Sequence, residues 1–178
     1  MSRFFALLAL GTFTATAGVA VLALVRRLRP DSAVAELFED LRPSVLWLAW
    51  IVATVTTLGS LYYSLIAHFE PCELCWYQRI CMYPLSVVLL IAACRRDFDI
   101  WHYAIPPVLV GTAIAVYHSQ LQAFPKQQSF CAIANPCTTR YVWELGFVSL
   151  PLMDLAALLF IATMLLIARA NERGETHE

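Results

Sequence analysis

Five stretches of mainly apolar residues, at 4–25, 45–67, 75–94, 101–121 and 148–168, take up most of this chain of 178 residues. A helix rises about 1.5 Å per residue, so about 20 such residues cross a hydrocarbon core about 30 Å thick. Composition agrees. Hydrophobic residues make up 60% of the chain and charged ones 14%, against about 25% charged in a typical soluble domain; mean hydropathy is +0.67. The third and fourth stretches are the least regular, because Gln78 and Arg79 open one while Pro106, Pro107 and Gly111 interrupt the other. Neighbouring helices absorb such breaks in a bilayer. The expectation is one all-α integral membrane bundle with short connections and no separate soluble domain. A net charge of -1, with no cluster of basic residues, excludes a nucleic-acid surface.

The basic residues report orientation. Arg26, Arg27, Arg29 and Arg42 lie between the first and second stretches, Arg95 and Arg96 between the third and fourth, and Arg169 and Arg173 after the fifth. The alternate segments hold only Arg3, Arg79, Lys126 and Arg140. Eight against four puts the first set in the cytoplasm, the N-terminus outside and the C-terminus inside. Arg3 and the small residues Ala15, Thr16 and Ala17 would also fit a cleaved signal peptide. The apolar run continues through Val25, however, past the roughly 7 to 15 residues of a signal core, and favours a retained helix. The polar tail 171–178 is expected to fray.

Of six cysteines, four fall in the two outer loops between helices. Cys72 and Cys75 stand in Glu70-Pro71-Cys72-Glu73-Leu74-Cys75-Trp76-Tyr77-Gln78-Arg79, where the third helix should begin, and Cys131 and Cys137 bracket five residues of the longer outer loop. A C-x-x-C at a helix start favours a thiolate, the attacking species in thiol exchange, through the free N–H groups and aligned dipoles. Pro71 suits a first helical turn. Arg79, four residues after Cys75, would share its helix face and favour an anionic sulfur. The same cysteines would also fit inert bracing disulfides, or a zinc or copper site needing all four sulfurs, although five intervening residues are more than the usual two to four of a zinc clip. Two pairs on one side favour an electron relay. Cys81 and Cys94, about 20 Å apart along one helix, cannot pair with each other and are read as buried apolar residues.

These residues resemble a known family. Glu70 to Leu85, the segment Tyr117-His118-Ser119-Gln120-Leu121-Gln122-Ala123-Phe124-Pro125, Asn135-Pro136-Cys137 and Leu145-Gly146-Phe147 are together similar to the disulfide bond formation protein B (DsbB) family, most closely its BdbC-like members. The resemblance covers residues from about 45 to 168. It implies a four-helix transmembrane bundle at 44–170, with one additional N-terminal transmembrane helix and cytoplasmic linker at 1–43 and a cytoplasmic tail at 171–178, in the inner (cytoplasmic) membrane. It further implies a quinone-dependent thiol oxidase that reoxidises an extracytoplasmic thioredoxin-fold partner. Cys131 and Cys137 would exchange with that partner, Cys72 and Cys75 would receive the electrons, and Cys75 would face ubiquinone or menaquinone with Arg79 beside it and His118 nearby. Two departures stand out: the second pair is separated by far fewer residues than in the best-known members, and residues 4–25 precede the family core as an anchor or a partner-packing helix.

Outside the resemblance, Trp76, Tyr77 and Tyr83 read first as interfacial anchors. Asp154, about two turns into the last stretch, is either a proton-handling group or a residue hydrogen-bonded across the bundle. Outer-loop residues 124–129 look irregular enough for a loop that must meet both a partner and the first pair. Spacing leaves the direction of electron flow open, because direction depends on relative potentials.

Overall fold

The computed structural model describes residues 2–28, 33–127, 131 and 135–175. They form five long helices: α1 (Ser2–Leu28), α2 (Ala33–Leu65), α3 (Glu73–Arg95), α4 (Trp101–Ala123, entered through a 3-10 turn at Phe98–Ile100) and α5 (Leu150–Glu175). Each contains a segment long and apolar enough to cross a membrane: Ser2–Arg26, Pro43–Leu65, Glu73–Arg95, Phe98–Ala123 and Leu150–Arg169. The expected all-helical, multi-pass membrane fold is what forms. Among the described residues, the only pairing of extended chain is a bridge between Glu144 and Val148.

Two helices outrun their apolar stretches. Helix α2 begins at Ala33, well before its membrane segment, and carries Pro43 inside it. The polar stretch expected as a linker thus belongs partly to this helix. Helix α5 continues to Glu175, so the tail expected to fray is helical up to there, and residues 176–178 lie outside the described set.

Helices α2, α3, α4 and α5 close into a ring in which each packs on the next and α5 returns to α2; α1 lies outside the ring, against α5 and α2. In a bilayer no hydrophobic effect separates helix from lipid, so close fit and small residues decide the contacts. The interior follows that rule. Ala49, Ala53, Ala104, Ala115, Ala157 and Ala168 are buried between helices, interleaved with Leu46, Met82, Leu89, Val108, Leu158 and Ile161. Gly111 permits a close approach of α3, α4 and α5, since a Cβ there would lie 3.2 Å from both Cys81 Cβ and Leu158 Cδ1. Pro84, Pro106 and Pro107 sit within α3 and α4 without ending them. Each removes one backbone donor, a loss that packing against neighbouring helices tolerates.

The two ends of the bundle differ in chemistry. At one, Arg169 lies 3.8 Å from the centre of the Trp101 ring, near Arg95 and Arg96 at the end of α3. At the other, the α2–α3 and α4–α5 connections bring the four loop cysteines together.

Candidate redox site

Helix α3 starts at the first cysteine pair. Cys72 is its N-cap, in extended conformation, and its sulfur accepts from the Cys75 amide at 3.4 Å. Pro71 therefore precedes the cap instead of occupying the first turn. A sulfur takes the place of the usual capping oxygen, aimed at the positive end of the helix, where negative charge is favoured. The two sulfurs stand 2.9 Å apart as free thiols in contact. This pair is asymmetric: Cys72 is held well below the usual thiol value of 9.0, first by the hydrogen bond from Cys75, then by His118 and the Cys75 amide, against burial acting the other way. Negative charge is therefore favoured on Cys72, with the Cys75 sulfur in contact with it.

His118, on α4, is 1% exposed and joins the two pairs. Its Nε2 lies 3.7 Å from Cys72 Sγ and 3.2 Å from the carbonyl oxygen of Cys137, and its Nδ1 lies 3.0 Å from Gln78 Oε1. Both oxygens only accept, so the imidazole is held between them through ring N–H, beside the Cys72 sulfur. Gln78 is fixed in turn, its Nε2 donating to Asp154 Oδ2 at 2.9 Å. A polar chain therefore runs from the Cys72 sulfur through His118 and Gln78 to Asp154, crossing α3, α4 and α5.

Cys131 and Cys137 form a disulfide with a Cα–Cα distance of 5.9 Å. It is buried in one cluster with Cys72, Leu74 and Leu121, with Cys75 packed against that cluster. Asn135 staples the loops: its Nδ2 donates to the Pro71 carbonyl at 3.1 Å and approaches that of Glu70 at 3.4 Å. Arg140 Nε donates to the Gln122 carbonyl at 2.6 Å and lies over the Trp143 ring, securing the loop to the end of α4. Of the loop expected to be irregular, residues 128 and 129 lie outside the described set.

Cys75 also borders a cavity of about 300 Å³, at the lower end of the range of roughly 300 to 1,000 Å³ for small-molecule sites. Its lining is mostly apolar, with Arg79, Gln78, His118 and Asp154 on the wall beside Cys75. Arg79 and Cys75 thus share a face, as their spacing implies, but the described hydrogen bonds of the guanidinium go to α2, not to sulfur. Nε donates to Ser60 Oγ at 3.1 Å, and Nη2 donates to the Ser60 carbonyl at 3.3 Å and to Ser64 Oγ. Tyr83, read from sequence as an anchor, lines the cavity and donates to Ser60 Oγ at 3.2 Å, whereas Trp76 and Tyr77 are exposed.

Sequence reasoning missed three features. Ser60 and Ser64 are four apart on α2, a spacing that marks one helix face. Gln78 is a polar residue just inside a span, a signal passed over beside its charged neighbour. Tyr63 lines the cavity with a buried hydroxyl that has no hydrogen-bond partner; nothing in its local sequence separates it from an ordinary interfacial tyrosine. Cys81 is buried between helices and Cys94 is exposed at the opposite end of α3.

A helical membrane protein whose one end packs a free cysteine pair against a disulfide has the make-up of a membrane thiol oxidoreductase. The chain belongs to the DsbB family: the family described as "Disulfide bond formation protein DsbB" matches residues 42–170. A "Probable disulfide formation protein" of Chlamydia trachomatis is 42% identical over 136 residues, covering 76% of this chain and 100% of that relative. A "Probable disulfide formation protein C 1" of Bacillus cereus is 41% identical over 137 residues, 75% of this chain and 98% of the relative. The "Disulfide bond formation protein C" of Bacillus subtilis is 36% identical over 129 residues, 71% and 94% respectively. No solved structure matches the chain at a significant level.

Proposed function

We propose that this protein oxidises an extracytoplasmic thioredoxin-fold partner and passes the electrons through Cys131/Cys137 and Cys72/Cys75 to a membrane quinone, ubiquinone or menaquinone. The observation that carries the reading is the burial of both pairs in one cluster while Cys75 alone among the four also lines the apolar cavity. The cavity fits a quinone headgroup: it is mainly apolar and has room for a small molecule, and the unpartnered Tyr63 hydroxyl and the Arg79 guanidinium supply donors for carbonyl oxygens. The catalytic unit is the four-helix bundle at 44–170. The excess of Arg at the end opposite the cysteines supports an orientation with both pairs outside and the C-terminus in the cytoplasm of a cell's inner membrane.

In the proposed sequence a partner thiolate attacks the Cys131–Cys137 disulfide, a second partner thiol resolves the mixed disulfide, and the released dithiol reduces a Cys72–Cys75 disulfide by the same exchange. The reduced first pair is then Cys72 thiolate hydrogen-bonded to Cys75 thiol. The 2.9 Å contact lets a proton pass between the two sulfurs, and Cys75 is the one at the cavity. A bound quinone supplies an acceptor for two electrons and two protons. Loss of both electrons returns Cys72 and Cys75 to a disulfide ready for the next exchange.

Cys72, Cys75 and His118 place three ligand atoms within 4.8 Å of one another, which gives the metal-binding alternative its one specific observation. Two sulfurs sharing a tetrahedral zinc at about 2.3 Å each stand well over 3 Å apart, whereas these are 2.9 Å apart. The Cys131–Cys137 disulfide also occupies two of the four sulfurs that reading needs.

The test is quinone reduction by purified protein in detergent, supplied with a reduced thioredoxin-fold partner, for wild type and Cys75→Ser. Rapid reduction lost in the variant is expected. Absence of reduction by wild type together with stoichiometric bound metal would overturn the proposal.

A further inference from the structure

Helix α1 lies outside the family match, which begins at residue 42, and a relative covered over its whole length accounts for only 76% of this chain. An anchor would need nothing more than lipid around it. Helix α1 instead closes one side of the redox cavity. Leu8, Ala9 and Thr12 line the same space as Cys75 and Arg79. The Phe5 ring packs over Gly59 of α2, where a Cβ would come within 3.1 Å of it, and lies 5.6 Å from the Tyr63 ring whose hydroxyl is unpartnered. The start of the helix is tied to the outer loop, with Ser2 Oγ donating to Glu144 Oε1 at 2.5 Å and Arg3 3.6 Å from the same carboxylate.

A second, shallower groove continues from this cavity away from the cysteines. It shares Leu8, Thr12 and Val52 with the cavity and adds Leu7, Gly11 and Ala15 of α1 and Phe160 of α5. Its wall is almost entirely apolar. Thr12 is its hydroxyl-bearing residue, and that hydroxyl donates to the Leu8 carbonyl of its own helix. A groove of this kind has no groups to recognise a polar ligand, and it leads out of the space where the headgroup reacts.

We propose that α1 is the tail-binding wall of the quinone site: the isoprenoid chain lies in the groove between α1, α2 and α5, and the quinone enters and leaves past α1. The inference rests on the quinone reading above. The groove's continuity with the Cys75 cavity and its apolar lining select the isoprenoid tail as occupant, and the Phe5–Tyr63 contact makes the same helix position a headgroup donor. Helix α1 is thus an element of cofactor selection appended to a four-helix redox unit.

The test compares wild type, Ala15→Trp, which alters only the groove, and Val21→Trp in the full-length protein, using a long-tailed and a tail-less quinone as acceptors. Val21 lies on the same helix, exposed and outside both spaces, and serves as the control. Expected in Ala15→Trp is about a tenfold rise in KM for the long-tailed quinone with kcat nearly unchanged, and a much smaller change for the tail-less one. Val21→Trp should match wild type with both. A quinone carrying a photoreactive group on its tail should label residues 4–15. Unchanged KM, an equal change for both quinones, or labelling confined to α2–α5 would overturn the inference. Electron transfer from the partner into the cysteine pairs without quinone reports folding, and should be preserved in both variants. If wild type reduces neither quinone, the quinone reading itself falls, and this inference with it.

Discussion

A thiol and a thiolate sharing one hydrogen bond at a helix cap make Cys72 the more acidic sulfur of its pair, and this has a direct consequence in pH. Its value is depressed, so the thiolate persists as pH falls and is lost only on passing below the lowered value. In fully reduced protein, alkylation of Cys72 by iodoacetamide, followed by mass spectrometry, should stay level from about pH 8 to about pH 6, where an ordinary thiol slows about a hundredfold. His118→Gln removes a neighbour that lowers the Cys72 value and should move that profile upward. A second test at this scale concerns Tyr63. If its buried hydroxyl serves the quinone, Tyr63→Phe should raise KM for quinone several-fold, about 1 kcal/mol for one hydrogen bond, with exchange between the cysteine pairs unchanged. Steady-state kinetics with and without quinone separate the two.

At the scale of elements, the site depends on how closely α3, α4 and α5 approach. Gly111 sets that distance by lacking a Cβ where Cys81 and Leu158 leave no space. Gly111→Val should force the helices apart and destabilise the protein by about 1 to 3 kcal/mol, seen as a lower unfolding midpoint in detergent. His118 is on the same helix two turns further on and Asp154 is on the facing one, so the same change should also slow quinone reduction. The α2–α3 contact works differently: Ser60 and Ser64 hold the Arg79 guanidinium against α2, so a cation inside the membrane region is satisfied by neutral oxygens and still faces the cavity.

For the whole molecule, the five-helix arrangement places the cysteine pairs at one end and Arg95, Arg96 and Arg169 at the other. Cys94, exposed beside Arg95, marks the arginine end. With the proposed orientation, a membrane-impermeant maleimide should label Cys94 in inverted vesicles and not in intact spheroplasts, as read by mass shift; the opposite pattern would reverse the topology. The part-buried hydrogen bond from Asn135 to the Pro71 carbonyl holds the second loop against the first. Asn135→Ala should loosen it at a cost of about 1 kcal/mol and change the rate of transfer from partner to protein, measured by stopped flow, more than the rate of quinone reduction.

Sequence alone determined what depends on composition and local order. Long apolar runs dictate helices across a membrane, because a helix satisfies its own backbone polar groups there and takes about 20 residues to cross. The Cys72-to-Arg79 segment marks a helix start carrying reactive sulfur, and its four-residue spacing puts Cys75 and Arg79 on one face. The family was legible for the same reason: its motifs are short and contiguous. Tertiary structure decided everything that requires two distant segments to meet. His118, forty-six residues away in sequence, adds to the local Cys75 contact in favouring charge on Cys72; Gln78 and Asp154 become one chain only because α3 and α5 face each other. The role of α1 was illegible in sequence because its apolar residues look alike whether they face lipid or line a cavity. Only its packing on α2 and α5 separates the two.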